Sequence, residues 1–342
     1  MIETYAYSRA GLLGNPSDGY FGKTISCLVR NFRARVLLYP SARLEIKPSS
    51  IDTPVFPSLH ALREATRWRG YYGGVRIIWA LLVRFAQFCD EQGMDLEERN
   101  FTVEYESNIP QRLGMGGSSA IITATLRALM EYFHLDIPKP IQANLILDAE
   151  TKELGVGAGL QDRVVQVYEG LVYMDFKREL MQSRGYGEYE QLDPGRLPPL
   201  YLAYRTSLSE GSEVVHNDLR HRYETGEPAV LDAITMWASY AEEGRKAILT
   251  GDHKRLSELM DANYDLRQRT IRISQGNREM ADLARSAGVS VNFAGSGGAI
   301  VGCYGDEATF RRLQQEMGQR NIAVIKPIIQ PLPAQVHSFS GN

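Results

Sequence analysis

Three glycine-rich turns in this chain carry side chains that could do chemistry. The first is NIPQRLGMGGSSA, where Gly114, Met115, Gly116, Gly117, Ser118 and Ser119 stand between a strand-like run and a helical one, IITATLRALMEYFH. Backbone N–H groups converge in such a turn and the helix dipole adds partial positive charge, so the pattern suits an anion such as a nucleotide phosphate. A serine at the helix start can cap the helix or ligate Mg²⁺. A plain capped helix is the alternative on local grounds. The second turn, VNFAGSGGAIVG, presents Gly295, Ser296 and Gly297 between two strand-like runs and could equally be a tight hairpin. The third, SRAGLLGNPSDGYFG, sets Arg9, Asn15 and Asp18 around an apolar base, as a site offering a few polar groups would. An ordinary Asn-Pro-Ser-Asp turn fits it as well.

Two tempting motifs fail on spacing or context. FGKT (Phe21 to Thr24) needs a glycine five residues before Gly22 to be a P-loop, and that position is Ser17. GVGAGLQ follows a helical run rather than a strand, the wrong setting for a dinucleotide turn. His216 and His221 have no metal-ligand partners at useful spacing, and Asp162 beside Arg163 reads by itself as a surface ion pair.

The elements that must position these turns are mixed. Strand-like runs come first (ETYAYSRAGLLG, TISCLVRNF, ARVLLYP, ARLEIKP), and a helical period begins near Leu59. A further helix is expected from Pro140 to Leu154, and three more from Ala229 to Leu249, His253 to Arg269 and Asn277 to Ser286. The end reads strand, glycine turn, strand, helix, strand. The proline-rich LDPGRLPPL is the best seam, giving an α+β chain in two domains, 1–195 and 196–342. Over the 342 residues, 44% are hydrophobic and 23% charged, which excludes disorder. With 38 basic against 41 acidic residues and no basic stripe, nucleic acid is not the expected partner. Three scattered cysteines form no disulfide or metal framework, and no apolar run is long enough for a bilayer, so a cytoplasmic protein is expected.

The three turns, in this order and over nearly the whole chain, resemble the motifs of the GHMP small-molecule kinases. YSRAGLLGNP places Arg9 at that family's basic position and Gly14 at its last motif-one glycine. Pro110, Gly114, Met115, Gly116, Gly117 and Ser118 follow the second motif, and Gly295, Ser296, Gly297 and Gly298 the third. YYGG, NIPQRLGMGGSSAI and AGLQDRVVQVY are similar to the branch that phosphorylates D-glucuronate at its anomeric hydroxyl. Glu169 departs from that pattern, standing where a glycine is usual, and Gly117-Ser118-Ser119 departs from its plainer serine run.

The resemblance implies a ribosomal-protein-S5-like N-terminal domain and a ferredoxin-like C-terminal one, with ATP and Mg²⁺ in the cleft between them. It implies phosphates on Gly114 to Gly117, and Mg²⁺ on Ser118, with Ser119 as the fallback, and on Glu150. Glu150 lies twelve positions before Asp162, the offset of the family's helix glutamate from its catalytic aspartate. Asp162 becomes the general base, paired with Arg9. Asp18, Asn15, Gly295, Ser296 and Gly297 would face the sugar, and Tyr72, with its neighbours in YYGG, the adenine. A uronate's carboxylate asks for an arginine fork or a lysine, and Arg267, Arg269, Arg220 and Arg222 are candidates with no order among them. Another sugar acceptor (galacturonate, a heptose, a neutral hexose) or a non-catalytic sensor of the same fold are the rival readings. The chain is expected to be a monomer or homodimer, and the polar stretch Thr206 to His216 a lid.

Overall fold

In the computed structural model of the chain, residues 1–49, 73–94, 96, 99–205 and 219–330 are described. Tyr72 and the stretch Thr206 to His216 lie outside them.

The first strand, β1 (Ile2–Leu13), alternates buried and half-exposed residues at its start and then becomes buried on both faces. That change marks where a second layer covers it. Its partner β2 (Lys23–Pro40) is one long strand rather than the two short ones expected from the sequence. The break read near Phe32 is a register shift, where the pairing passes from Tyr7↔Arg33 to Ser8↔Val29. Extra residues on β2 bulge out and the strand continues beyond them. Along its other edge β2 pairs in turn with β4 (Phe101–Ser107) and β5 (Leu171–Asp175). β3 (Glu45–Ile46) and β6 (Glu188–Leu192) complete a six-stranded sheet.

Against this sheet lies the helix Gly117–Tyr132, buried almost all round. Ala120, Ala124 and Ala128 allow close approach, while Thr123 and Thr125 return their hydroxyls to the carbonyls four residues back, at 2.7 and 2.8 Å. The helix Lys139–Asp148 ends in a π turn, Ala149–Glu153, inside the continuous helix expected over 140–154. A π turn rotates the residues it contains relative to the rest of the helix, and it carries Glu150.

The second sheet starts at β7 (Leu200–Tyr204), beyond the turn Pro194–Arg196, and adds β8 (Asn292–Phe293), β9 (Ala299–Cys303) and β10 (Ala323–Ile325) in the order β10–β7–β9–β8. Alternation divides its side chains between two cores. Leu200, Leu202, Ala299, Val301 and Cys303 join the core of the first sheet, whereas Tyr201, Ala203 and Ile300 pack under the helices Gln275–Ser286 and Glu307–Gly318. We propose a domain boundary at 195/196 because the sheets change hands there, even though one hydrophobic core runs through both.

A buried amide cluster joins the halves. Asn263, in the helix His253–Thr270, accepts from the Gly14 N–H at 2.8 Å and donates to the Asn15 carbonyl at 3.2 Å. Asn292 donates to the Leu12 carbonyl at 2.9 Å, and the Asn15 side chain donates to the Phe293 carbonyl at 2.9 Å. Asn15, Asn263 and Asn292 are all buried. Removing one member strands its partners out of reach of water. We expect Asn263→Ala to cost about 2–4 kcal/mol, from one or two buried groups left without partners. Urea denaturation with a shifted midpoint and unchanged slope would report it.

Candidate active site

One guanidinium collects all three turns. Arg9, buried on β1, donates from Nε to Asp162 Oδ1 at 2.7 Å, and its Nη2 lies 2.6 Å from the same oxygen. Nη1 donates to the Ala294 carbonyl at 2.8 Å and also to the Gly114 carbonyl. The Arg9 backbone N–H donates to the Met115 carbonyl at 3.0 Å. Gly114 and Gly295 touch back to back, since a Cβ on Gly295 would stand 1.9 Å from the Gly114 carbonyl oxygen. Only glycine permits that contact.

Asp162 sits in the first turn of the helix Gln161–Tyr168. Both Arg9 contacts fall on Oδ1. Among the described residues Oδ2 has no hydrogen bond, with Arg163 Nη1 3.7 Å away. Asp18 arrives from the turn Ser17–Tyr20, and its Oδ2 accepts from the Gln161 N–H at 3.3 Å. The 155–160 loop passes so close that a Cβ on Gly159 would lie 2.0 Å from that carboxylate oxygen. Burial, reinforced by the negative charge of Asp162, pushes the Asp18 carboxyl up to about 6. Two carboxylates with different surroundings therefore face the same space.

The glycine loop turns through left-handed backbone at Gly114 and Gly116 and opens into the N-terminus of the helix Gly117–Tyr132. Ser119 is directed back into its own turn, donating to the Gly116 carbonyl at 3.1 Å. Ser118 instead donates to Glu150 Oε1 at 2.6 Å, and Glu150, buried in the π turn, receives Arg163 on Oε2. One carboxylate and one hydroxyl at the mouth of a phosphate loop suit Mg²⁺, which keeps waters and takes its remaining ligands from nucleotide phosphates. Among the described residues no group of three His, Cys, Asp or Glu forms an all-protein cage.

Other expected residues are placed differently. Arg267 is buried, with its guanidinium over the Phe293 ring at 4.8 Å and Nη2 donating to the Ser296 carbonyl at 3.1 Å. Asn15, expected to face the sugar, is buried with its amide committed to the cluster joining the sheets. Arg222 is held bidentately by Glu227, at 2.8 Å for each bond. Two residues escaped the sequence reading. Arg163, read with Asp162 as a surface pair, is 5% exposed. Gln161 is also buried, and its side-chain oxygen has no hydrogen-bond partner among the described residues. The available signal was the run of valines on both sides of that helix, which marks it as enclosed.

Fold and site together define a small-molecule kinase. The GHMP kinases N terminal domain model matches residues 77–170 and the GHMP kinases C terminal model residues 245–323, and the chain belongs to the GHMP kinases, phosphotransferases with an alcohol acceptor. Among curated relatives, Glucuronokinase 1 of Arabidopsis thaliana is 44% identical over 306 residues, covering 88% of this chain and 84% of that protein. Probable glucuronokinase 2 of the same plant is 41% identical over 335 residues, covering 96% and 91%. The fold is shared with Lactococcus lactis galactokinase solved with galactose, at TM-score 0.73 and 15% identity, over 96% of this chain and 93% of that one.

The raised Asp18 carboxyl gives a signed expectation. Folded Asp18 holds its proton up to about pH 6, whereas an ordinary aspartate releases it near 3.8, so stability falls as the pH rises from 3.8 to about 6 and the loss is complete above that. Asp18→Asn should therefore stabilise the protein at pH 7.5, by about 1–2 kcal/mol after allowance for partial exposure, as read from Tm. If Asp18 binds acceptor hydroxyls as an anion, kcat/KM for the acceptor falls about tenfold per pH unit below about 6, as for any single required carboxylate, and Asp18→Asn removes that dependence.

Proposed function

We propose that the chain is an ATP-dependent sugar-1-kinase that converts D-glucuronate to glucuronate 1-phosphate and ADP. The observation that carries this reading is the 41–44% identity to glucuronokinases over most of the chain. The Arg9–Asp162 pair beside Asp18 supports it with geometry suited to a sugar hydroxyl.

The sugar's anomeric oxygen attacks the terminal phosphorus, the bond to the bridging oxygen breaks toward ADP, and the hydroxyl proton passes to Asp162 Oδ2. Oδ2 suits that role because Arg9 occupies the other oxygen. Arg9 fixes the base and brings positive charge to the same space as the phosphate loop. Asp18 accepts hydrogen bonds from other sugar hydroxyls. Backbone N–H groups of 114–117 and the helix start hold the nucleotide phosphates, with Ser118 and Glu150 holding Mg²⁺. The metal, when bound, neutralises phosphate charge and keeps the reacting atoms in line.

For the substrate carboxylate, two arginines are the candidates to compare. Arg267 lies beneath the Gly295–Gly297 loop, and Arg220 reaches the hydroxyl of Tyr20, two residues from Asp18. Three buried, unpaired cysteines agree with a cytoplasmic setting.

ADP release should be measured with glucuronate, galacturonate, glucose, galactose and a heptose. Turnover on glucuronate with kcat lowered roughly 10²–10⁴-fold by Asp162→Asn is the expected result; turnover on a neutral sugar alone would overturn the uronate assignment. Between Arg267→Gln and Arg220→Gln, the residue binding the carboxylate raises KM for glucuronate more than about tenfold, the loss expected for one charge-assisted contact. Its effect on any neutral sugar that is turned over should be small.

A further inference from the structure

The side chain next to the proposed base makes more contacts within the site than any residue assigned a role so far, apart from Arg9. Arg163 is buried, and its guanidinium has three neighbours. Nε donates to Glu150 Oε2 at 2.9 Å, and Nη2 reaches the same oxygen. Nη1 donates to the Gly159 carbonyl at 2.8 Å and stands 3.7 Å from Asp162 Oδ2. Gly159 is the residue packed against the Asp18 carboxylate. One planar cation thus spans Glu150, the base and the loop under the acceptor site.

We infer that Arg163 is a positioning residue for the metal: by taking Glu150 Oε2 it turns Oε1 toward Ser118 and holds it at a fixed distance from Asp162. The inference rests on reading Ser118 and Glu150 as the protein's Mg²⁺ ligands. The physical argument is one of orientation. Glu150 lies in a π turn, and a carboxylate on such a turn has several rotamers open to it unless a second group selects one. A guanidinium, with donors in a fixed fork, selects a rotamer better than a point charge does, because two N–H groups must be met together. Partners that orient a metal ligand without touching the metal commonly change metal affinity 10- to 100-fold when removed. Arg163 does not reach the glycine loop in any of these contacts, so metal-free nucleotide binding should not depend on it.

The test is a direct Mn²⁺ titration, followed by electron paramagnetic resonance, on the full chain saturated with a non-hydrolysable ATP analogue. Metal-free analogue binding is measured in parallel. Arg163→Gln should weaken Mn²⁺ about 10- to 100-fold and leave metal-free analogue affinity within about twofold. Arg163→Lys, which keeps the charge but loses the fork, should fall between the two and serves as the deciding variant if Arg163→Gln does not fold. In steady state, the apparent Mg²⁺ constant should rise by a larger factor than KM for the acceptor does. Glu150→Gln separates the two levels of the argument. If Glu150→Gln weakens Mn²⁺ but both Arg163 variants bind it like wild type, the inference about Arg163 is overturned. If Glu150→Gln itself leaves Mn²⁺ unchanged, the metal-ligand reading falls and the inference falls with it. Equal weakening of metal and of metal-free analogue by Arg163→Lys would show a general structural role and also overturn it.

Discussion

The arrangement depends on burying a permanent positive charge at the junction of three loops. A buried guanidinium has to be met by acceptors, and for Arg9 the chain supplies an aspartate and two main-chain carbonyls. Each acceptor belongs to a different segment: the glycine loop, the turn between β8 and β9, and the start of the helix after 160. Satisfying one side chain therefore sets the relative positions of three pieces of backbone far apart in sequence. The contact of Gly114 with Gly295 follows from this convergence, since both turns bring a carbonyl to the same nitrogen, Arg9 Nη1. A second arginine, Arg163, meets the other acidic residues from behind, so carboxylates and guanidiniums alternate through the centre of the molecule. In that alternation each charge has an opposite neighbour, the condition under which charged groups tolerate burial.

Much of this was legible before any coordinates. The glycine turns were visible because only glycine serves where the backbone is left-handed or must touch another backbone, and they fall where a strand meets a helix or another strand. Their order pointed to the family, and the family pointed to Arg9, Ser118, Glu150 and Asp162, which the structure brings together around one cleft. Other features were hidden for physical reasons. The length of β2 was obscured because a bulge inserts polar residues that look like a turn. The π turn at Ala149–Glu153 has the composition of ordinary helix, so nothing in AETKE announces it. Arg163 was misread because burial of a charge depends on partners distant in sequence, and local composition does not name them. Short elements such as β6 were missed since Glu188–Leu192 is largely polar and strand only by its pairing with β5.

Glu169 shows how a departure from a family pattern can be accommodated. Its backbone is left-handed, with φ at 67°, a conformation that disfavours a residue with a Cβ. The side chain forms ion pairs with Arg30 at 2.6 Å and with Arg127 at 3.0 Å, contacts a glycine could not make. The cost in backbone strain is thus set against anchoring of the turn into β5 to Arg127 of the helix Gly117–Tyr132.

The amide cluster of Asn15, Asn263 and Asn292 has a bearing on how ligands are admitted. Its hydrogen bonds fasten the end of β1 to the second sheet below the site, so the cleft has a floor that is already assembled before anything binds. A bimolecular encounter then orders the ligand and the rim, while the base of the site contributes little loss of conformational entropy. The main chain fastened by that cluster is therefore the part of the site with the least freedom to adapt when a ligand arrives.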